Sequence, residues 1–480
     1  MICKKEISLL LFFVIAFFSR TDGQPYYFNH FQVENGLSNN SIECSIQDND
    51  GFLWFGTING LNRFDGYTFR TFYHDPGDTS SIGSNFIRCL YNDRQGTVWV
   101  GTNKGVYTFN KTGEKFNLVR NLPKGNSTQI LCDGRGRFWF IIDQFVYSLD
   151  PSGGKVSSYP MEGQSPVATS IAVTPDNALW VSTSNGAIQR YSPQKDSFTI
   201  YSTYKPVSDP LPASIEKLYP MNDSSFLIGM KNEGVKIFDT KTGRYKDIVT
   251  YNEEGTGIYV RSFIRRSENE YWIGTETGIY IYDSRSGYVT HLQREYDNPY
   301  SISDNVIFAF CRDREGGLWV GTYLGGLNYL PERFVFFEKY FPRLGTPSLS
   351  GNAVHEITRD RYGNFWIGTE DGGVTRVSPQ KKTFTAYKPS QARGSIAYHN
   401  IHGLLASGNE LWIGTFEHGL DVMDIPTGKV IRHYNAGPDK HSLKSNFIVT
   451  IFETREKVIL AGTWKGLCRY NRETDDFSEV

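Results

Sequence analysis

The chain has 480 residues, 50 Lys and Arg against 51 Asp and Glu, a net charge of −1, 15% aromatic residues and 47 glycines. So even a balance excludes a global electrostatic case for nucleic-acid binding. The aromatic, glycine-rich mix suits short strands and tight turns, and the length admits two domains or one long repeat array.

Lys4 and Lys5, the apolar run from Ile7 to Phe18 and the small residues ending at Gly23 predict a secretory signal peptide over residues 1–23. It is too short for a comfortable spanning helix, and no later segment is apolar enough to span a membrane. Next, Phe28-Asn-His-Phe-Gln-Val33 has the pattern of a fourth strand with no sheet of its own.

From there one phrase recurs: Trp-x-Gly-Thr, then a further Gly. It stands at Trp54, Trp99, Trp272, Trp319, Trp366 and Trp412, with eroded copies at Trp139, Trp180, Leu227 and Leu460. The copies lie about 40–48 residues apart, the period of propeller blades. In the first copy Ser41–Gln47 reads as a strand, Asp48-Asn-Asp-Gly51 as a turn and Phe52–Thr57 as a second strand. Asn59-Gly60 and Asp65-Gly66 then mark hairpin turns around a third strand and into a fourth.

The predicted fold is all-β: a seven-bladed β-propeller of four-stranded antiparallel blades, followed by the first blades of a second, incomplete propeller. The proposed boundaries are 24–332 for repeats one to seven and 333–480 for repeats eight to ten. The leading strand would close blade seven, hiding both edges. The stretch Phe334–Tyr340 would begin a second ring in the same way. A single ten-bladed ring is the alternative.

Repetition separates scaffold from function. Trp54, Trp99, Trp139, Trp180, Trp272, Trp319, Trp366 and Trp412 occupy one position and are expected to fill the wedge between neighbouring sheets. The Asn of the fourth-to-first-strand loops, as in Leu37-Ser-Asn-Asn40, is expected to bond local backbone. Five cysteines remain after the signal segment (Cys44, Cys89, Cys132, Cys311 and Cys468) and are read as free thiols. His399 and His402 would point to opposite sides of a strand, so no metal site is assigned. No cofactor motif, nucleophile elbow or phosphate loop is present, and the region is read as non-enzymatic.

The run Phe31-Gln-Val-Glu-Asn-Gly-Leu-Ser-Asn-Asn-Ser-Ile42, continuing through Gly51–Thr57 and Gly60–Gly66, closely resembles a known family. It is similar to the periplasmic sensor regions of hybrid two-component regulators from polysaccharide-degrading gut bacteria, whose propeller repeats carry this phrase. The resemblance implies a periplasmic ligand sensor for an oligosaccharide, regulating polysaccharide-utilisation genes. The kinase and DNA-binding parts, and any homodimer, would belong to a longer product. A propeller polysaccharide lyase or glycosidase, and a protein-interaction scaffold, are the alternatives.

Binding is expected at the second-to-third-strand turns, where the copies vary. Tyr323, Phe416 and Trp464 offer aromatic faces for sugar rings, Lys104, Lys231 and Lys465 offer cations, and His418 lies in the same turn as Phe416.

Overall fold

The computed structural model describes residues 26–163, 167–204, 213–332, 337–380 and 383–480; the predicted signal peptide lies outside them. Among the described residues there are forty strands and one short 3-10 turn, Val33–Asn35. The strands form ten four-stranded antiparallel sheets, and the chain divides into two compact units, residues 1–334 and 335–480.

In the first unit, sheet 1 comprises Ile42–Gln47, Leu53–Thr57, Gly60–Phe64 and Phe69–Phe72. Five more sheets repeat this order. Sheet 7 draws three strands from Ile307–Leu330 and takes its outer strand, Asn29–Phe31, from the start of the chain, with Asn29 opposite Tyr329. First strands of consecutive sheets adjoin one another, and that of sheet 7 adjoins that of sheet 1, so the seven sheets close a ring. At the closure Ile42, Leu53 and Phe55 of sheet 1 share a core with Trp319 and Leu327 of sheet 7.

The second unit holds sheets 8, 9 and 10, which begin with Val354–Arg359, Ile401–Ser407 and Ile448–Glu453. Separate cores join sheet 8 to sheet 9 and sheet 9 to sheet 10. The expected strand over Phe334–Tyr340 is not found where it can be followed: residues 337–340 form no strand, and 333–336 lie outside the described residues. Among the described residues, each of the three sheets takes its four strands from consecutive segments, so none pairs with this stretch. Tyr340 packs instead on Phe384 of sheet 8, ring centroids 5.5 Å apart.

Each letter of the repeated phrase has a physical task. All eight motif tryptophans are buried. Trp54, for example, sits in the core that joins sheets 1 and 2, against Ile87, Val100 and Phe109. Its indole N–H donates to Asp48 Oδ2 at 2.7 Å, while Asp48 Oδ1 accepts the backbone N–H groups of Asp50 and Phe52. The turn Asp therefore shapes the turn and neutralises the one polar atom of the wedge filler. Trp99, Trp139, Trp319 and Trp366 repeat the pair with Asp93, Asp133, Asp313 and Asp360 at 2.8–3.0 Å. Trp272 uses Glu270 at 2.7 Å. Trp180 and Trp412, whose turns carry no Asp at that place, have no partner for the indole nitrogen among the described residues.

The motif Gly permits close approach of the next sheet: a Cβ on Gly56 would stand 2.6 Å from Ile87 and 2.5 Å from Cys44. The motif Thr holds the following turn, as Thr57 Oγ1 donates to Gly60 O at 2.9 Å and accepts from Asn59 N. The loop Asn works as expected from the sequence. Asn85 Oδ1 accepts from His74 N at 2.6 Å and Asn446 Oδ1 from Ala436 N at 2.6 Å, closing each loop. All five described cysteines are free thiols; burial pushes those of Cys89 and Cys311 up to about 12, so they are inert.

Candidate functional site

A feature absent from the sequence reading sets the geometry of the end that carries the second-to-third-strand turns. In all ten sheets the register between first and second strands slips after the first paired residue, a β-bulge. The bulged residues include Glu43, Arg88, Glu216, Arg261, Phe308, His355 and His402. A bulge frees one residue from the ladder and re-aims its side chain. These side chains meet between sheets: Arg88 pairs with Glu43 at 2.6 Å, and the Arg261 guanidinium lies 5.3 Å from the Phe308 ring centre.

In the first unit they converge on the middle of the ring. Arg88, Arg261 and Lys217 all act electrostatically on Glu43, although Lys217 belongs to sheet 5 and Glu43 to sheet 1. Burial raises the Glu43 carboxyl, and these three cations pull against it. Burial also holds the Lys217 ammonium below the usual lysine range, opposed by Glu216. Arg261 is paired with Glu276, the residue after the motif Thr of sheet 6, and lies over Tyr259 at 3.9 Å.

In the second unit the same end is aromatic. Phe416, Glu417, Ser445, Asn446, Phe447, Trp464 and Lys465 line an open groove of about 580 Å³. Trp464 is 73% exposed and stacks nearly parallel to Phe447, at 12° with centroids 5.8 Å apart. Phe447 meets Phe416 edge-on at 4.8 Å and the imidazole of His402 at 4.9 Å. Burial and neighbouring His355 hold the His402 imidazole below its ordinary range, with Glu370 opposing.

Three of the residues chosen from sequence, Phe416, Trp464 and Lys465, thus share one groove. His418 stands beside it, stacked on Tyr398 at 3.9 Å. The others are in the first unit, in the second-to-third-strand turns of different sheets: Lys104 in sheet 2, Lys231 in sheet 5, and Tyr323 in sheet 7, packed on Phe308 at 5.5 Å. Sequence reasoning missed Phe447, which directly follows the loop Asn446, and missed the bulged residues altogether. The signal was there: the first and third positions after each loop Asn vary between copies, around a constant Ile or Val, as the turn tips do.

Fold and repeats together resemble one class, the β-propellers built on two-component regulator propeller repeats. That family's model matches residues 36–59, 81–104, 301–324 and 348–371, each match running from an Asn-bearing loop to the turn after Trp-x-Gly-Thr. A 75-residue segment is 39% identical to Histidine kinase P4 of Formosa agariphila; it is 16% of this chain and spans 6% of that relative. Among solved structures, the extracellular domain of a hybrid two-component system from B. thetaiotaomicron superposes with a TM-score of 0.60 at 22% identity. The match covers 95% of this chain and 67% of that one. A second such domain from the same organism matches with a TM-score of 0.57 at 18% identity over the same shares.

Proposed function

We propose that this chain is the extracytoplasmic sensing region of a hybrid two-component system, and that the groove of Phe416, Phe447, Trp464 and Lys465 binds an oligosaccharide without turning it over. The observation that carries this reading is the exposed Trp464–Phe447 stack at the variable tips of sheets 9 and 10. Sugar rings present apolar faces edged with hydroxyls, and the groove offers an aromatic plane rimmed by Glu417, Ser445, Asn446 and Lys465. The sensing role is supported by the matched repeats and by the extracellular two-component domains that share the fold. No helix among the described residues is long and apolar enough to cross a membrane, and the predicted signal peptide supports export to the periplasm.

In this reading the kinase, the DNA-binding function, the control of polysaccharide-utilisation genes and the dimer that relays the signal belong to a longer protein. Calorimetry against a panel of plant and host oligosaccharides tests the groove. Binding without turnover is expected, and Trp464→Ala is expected to weaken it about tenfold or more, ~1.4 kcal/mol, with an unchanged melting temperature. Unchanged affinity in that variant overturns the groove as the site, and product formation overturns the sensor in favour of a lyase or glycosidase.

A further inference from the structure

Three ligand-bearing side chains of the second unit meet at the end that carries the second-to-third-strand turns. His355 is the bulged residue of sheet 8, His402 the bulged residue of sheet 9, and Glu370 follows the motif Thr369 of sheet 8. His355 Nε2 lies 2.8 Å from Glu370 Oε1, and the two imidazole centroids are 4.2 Å apart. One ligand atom from each of the three lies within 4.8 Å of the others. We propose that His355, Glu370 and His402 bind a divalent transition-metal ion, zinc, with at least one coordination position left open.

The ordinary alternative is an ion pair, because the equivalent positions of sheets 6 and 7 hold one. There the three places are filled by Arg261, Glu276 and Phe308, a guanidinium–carboxylate pair capped by a phenyl ring. Neither Arg261 nor Phe308 can ligate a metal. In the second unit the scaffold is the same, yet both non-carboxylate places hold imidazoles. An ion pair needs one cation; it does not need the second histidine, and two imidazolium groups would repel each other. Neither ring nitrogen of His402 makes a hydrogen bond to the described residues, so its lone pair is available.

Tetrahedral zinc with bonds of about 2.0–2.2 Å places its ligands about 3.3–3.5 Å apart. The His355–Glu370 contact must open by about half an ångström and His402 must move inward, rotamer adjustments on partly exposed side chains. Two imidazoles and a carboxylate suit zinc, cobalt or nickel and disfavour calcium and magnesium, which take all-oxygen sets. His402 packs on Phe447, so a bound ion would pin one wall of the aromatic groove; the metal site stands whether or not that groove takes a sugar.

The full chain, stripped with a chelator and dialysed, is titrated with zinc chloride by calorimetry, with bound metal counted by mass spectrometry. One equivalent is expected, with no heat from magnesium or calcium. His355→Ala and His402→Ala should each weaken zinc at least a hundredfold, and Glu370→Gln at least tenfold. Each variant should keep the parent's circular dichroism and metal-free melting temperature. Cobalt should give visible d–d absorption in the parent and lose it in His402→Ala, which separates this site from adventitious thiol binding. Failure of the parent to retain zinc, or retention undiminished in both histidine variants, overturns the proposal. So does a set of variants that changes only melting temperature, which leaves the three residues as an ion pair.

Discussion

Among the described residues, every wedge face of the first unit has a neighbouring sheet, and two faces of the second unit have none. Ile42, which opens the first strand of sheet 1, is fully buried because sheet 7 covers it. Its counterpart Val354 in sheet 8 is 44% exposed, and Ile357 two turns of the pleat away is 59% exposed. On sheet 10, Phe452 is 62% exposed. Ten copies of nearly one sequence thus reach very different burial. The repeat encodes half an interface, and the neighbour supplies the other half.

The sharpest way to break this contrast is to fill a wedge. A Cβ on Gly321 of sheet 7 would stand 2.6 Å from the Ile42 side chain, whereas one on Gly462 of sheet 10 would meet only Thr450 at 3.0 Å. Gly321→Val is expected to cost about 2–3 kcal/mol in urea unfolding, and Gly462→Val less than about 1 kcal/mol. Equal costs would refute the half-interface account.

Next in size is the loss of the indole's partner. Asp48→Ala leaves the Trp54 nitrogen and two turn N–H groups unsatisfied, at about 2 kcal/mol. Thr174→Ala, at the equivalent turn of sheet 4, should cost clearly less, because the Trp180 nitrogen is already unpartnered. Urea unfolding of the two variants side by side checks the difference.

The smallest effect is in pH. His291 of sheet 6 and His433 of sheet 9 occupy the same place, opposite Tyr280 and Asp421. His291 stacks flat on Tyr280 at 4.0 Å, and burial lowers its pKa from 6.5. His433 Nδ1 lies 2.6 Å from Asp421 Oδ1, and that hydrogen bond raises its pKa. The sign is opposite for the two. His433 stabilises fully below its unfolded value near 6.5, and loses that contribution as pH rises through its folded value. His291 stabilises above its unfolded value, and loses that contribution as pH falls through its folded value. NMR titration of the two imidazoles should show midpoints on opposite sides of 6.5; midpoints on the same side would refute the assignment. His433→Gln should flatten the stability profile above neutrality, and His291→Gln should flatten it in mild acid.

Much of the fold could be read from the chain because the repeat is written in local chemistry. Asp-x-x-Gly and Asn-Gly are turns wherever they stand, and alternation between them gives strands. The Asp–Trp bond was also legible in principle: the turns before Trp180 and Trp412 lack Asp at the first place and leave the indole unpaired, and where Arg266 stands there Glu270 takes the bond. The candidate groove was half legible. Phe416, Trp464 and Lys465 lie at variable tips, but Phe447 and the pair His355 and His402 become neighbours only when consecutive sheets pack. Pairing His399 with His402 sought a partner along the strand; the partner of His402 lies across the wedge, 47 positions back. Strand periodicity sets which face a residue takes; it carries no information about the bulge that re-aims it.

The strand Asn29–Phe31 has a consequence in time. It is made first, yet its ladder partner, Leu327–Tyr329, is made about 300 residues later. At translation rates of about 5–20 residues per second, that is a wait of about 15–60 s. Throughout that interval Phe28 and Phe31, flanked by Tyr26 and Tyr27, have no sheet to join. The clasp that finally locks the ring is therefore, for most of the chain's birth, its most adhesive loose end.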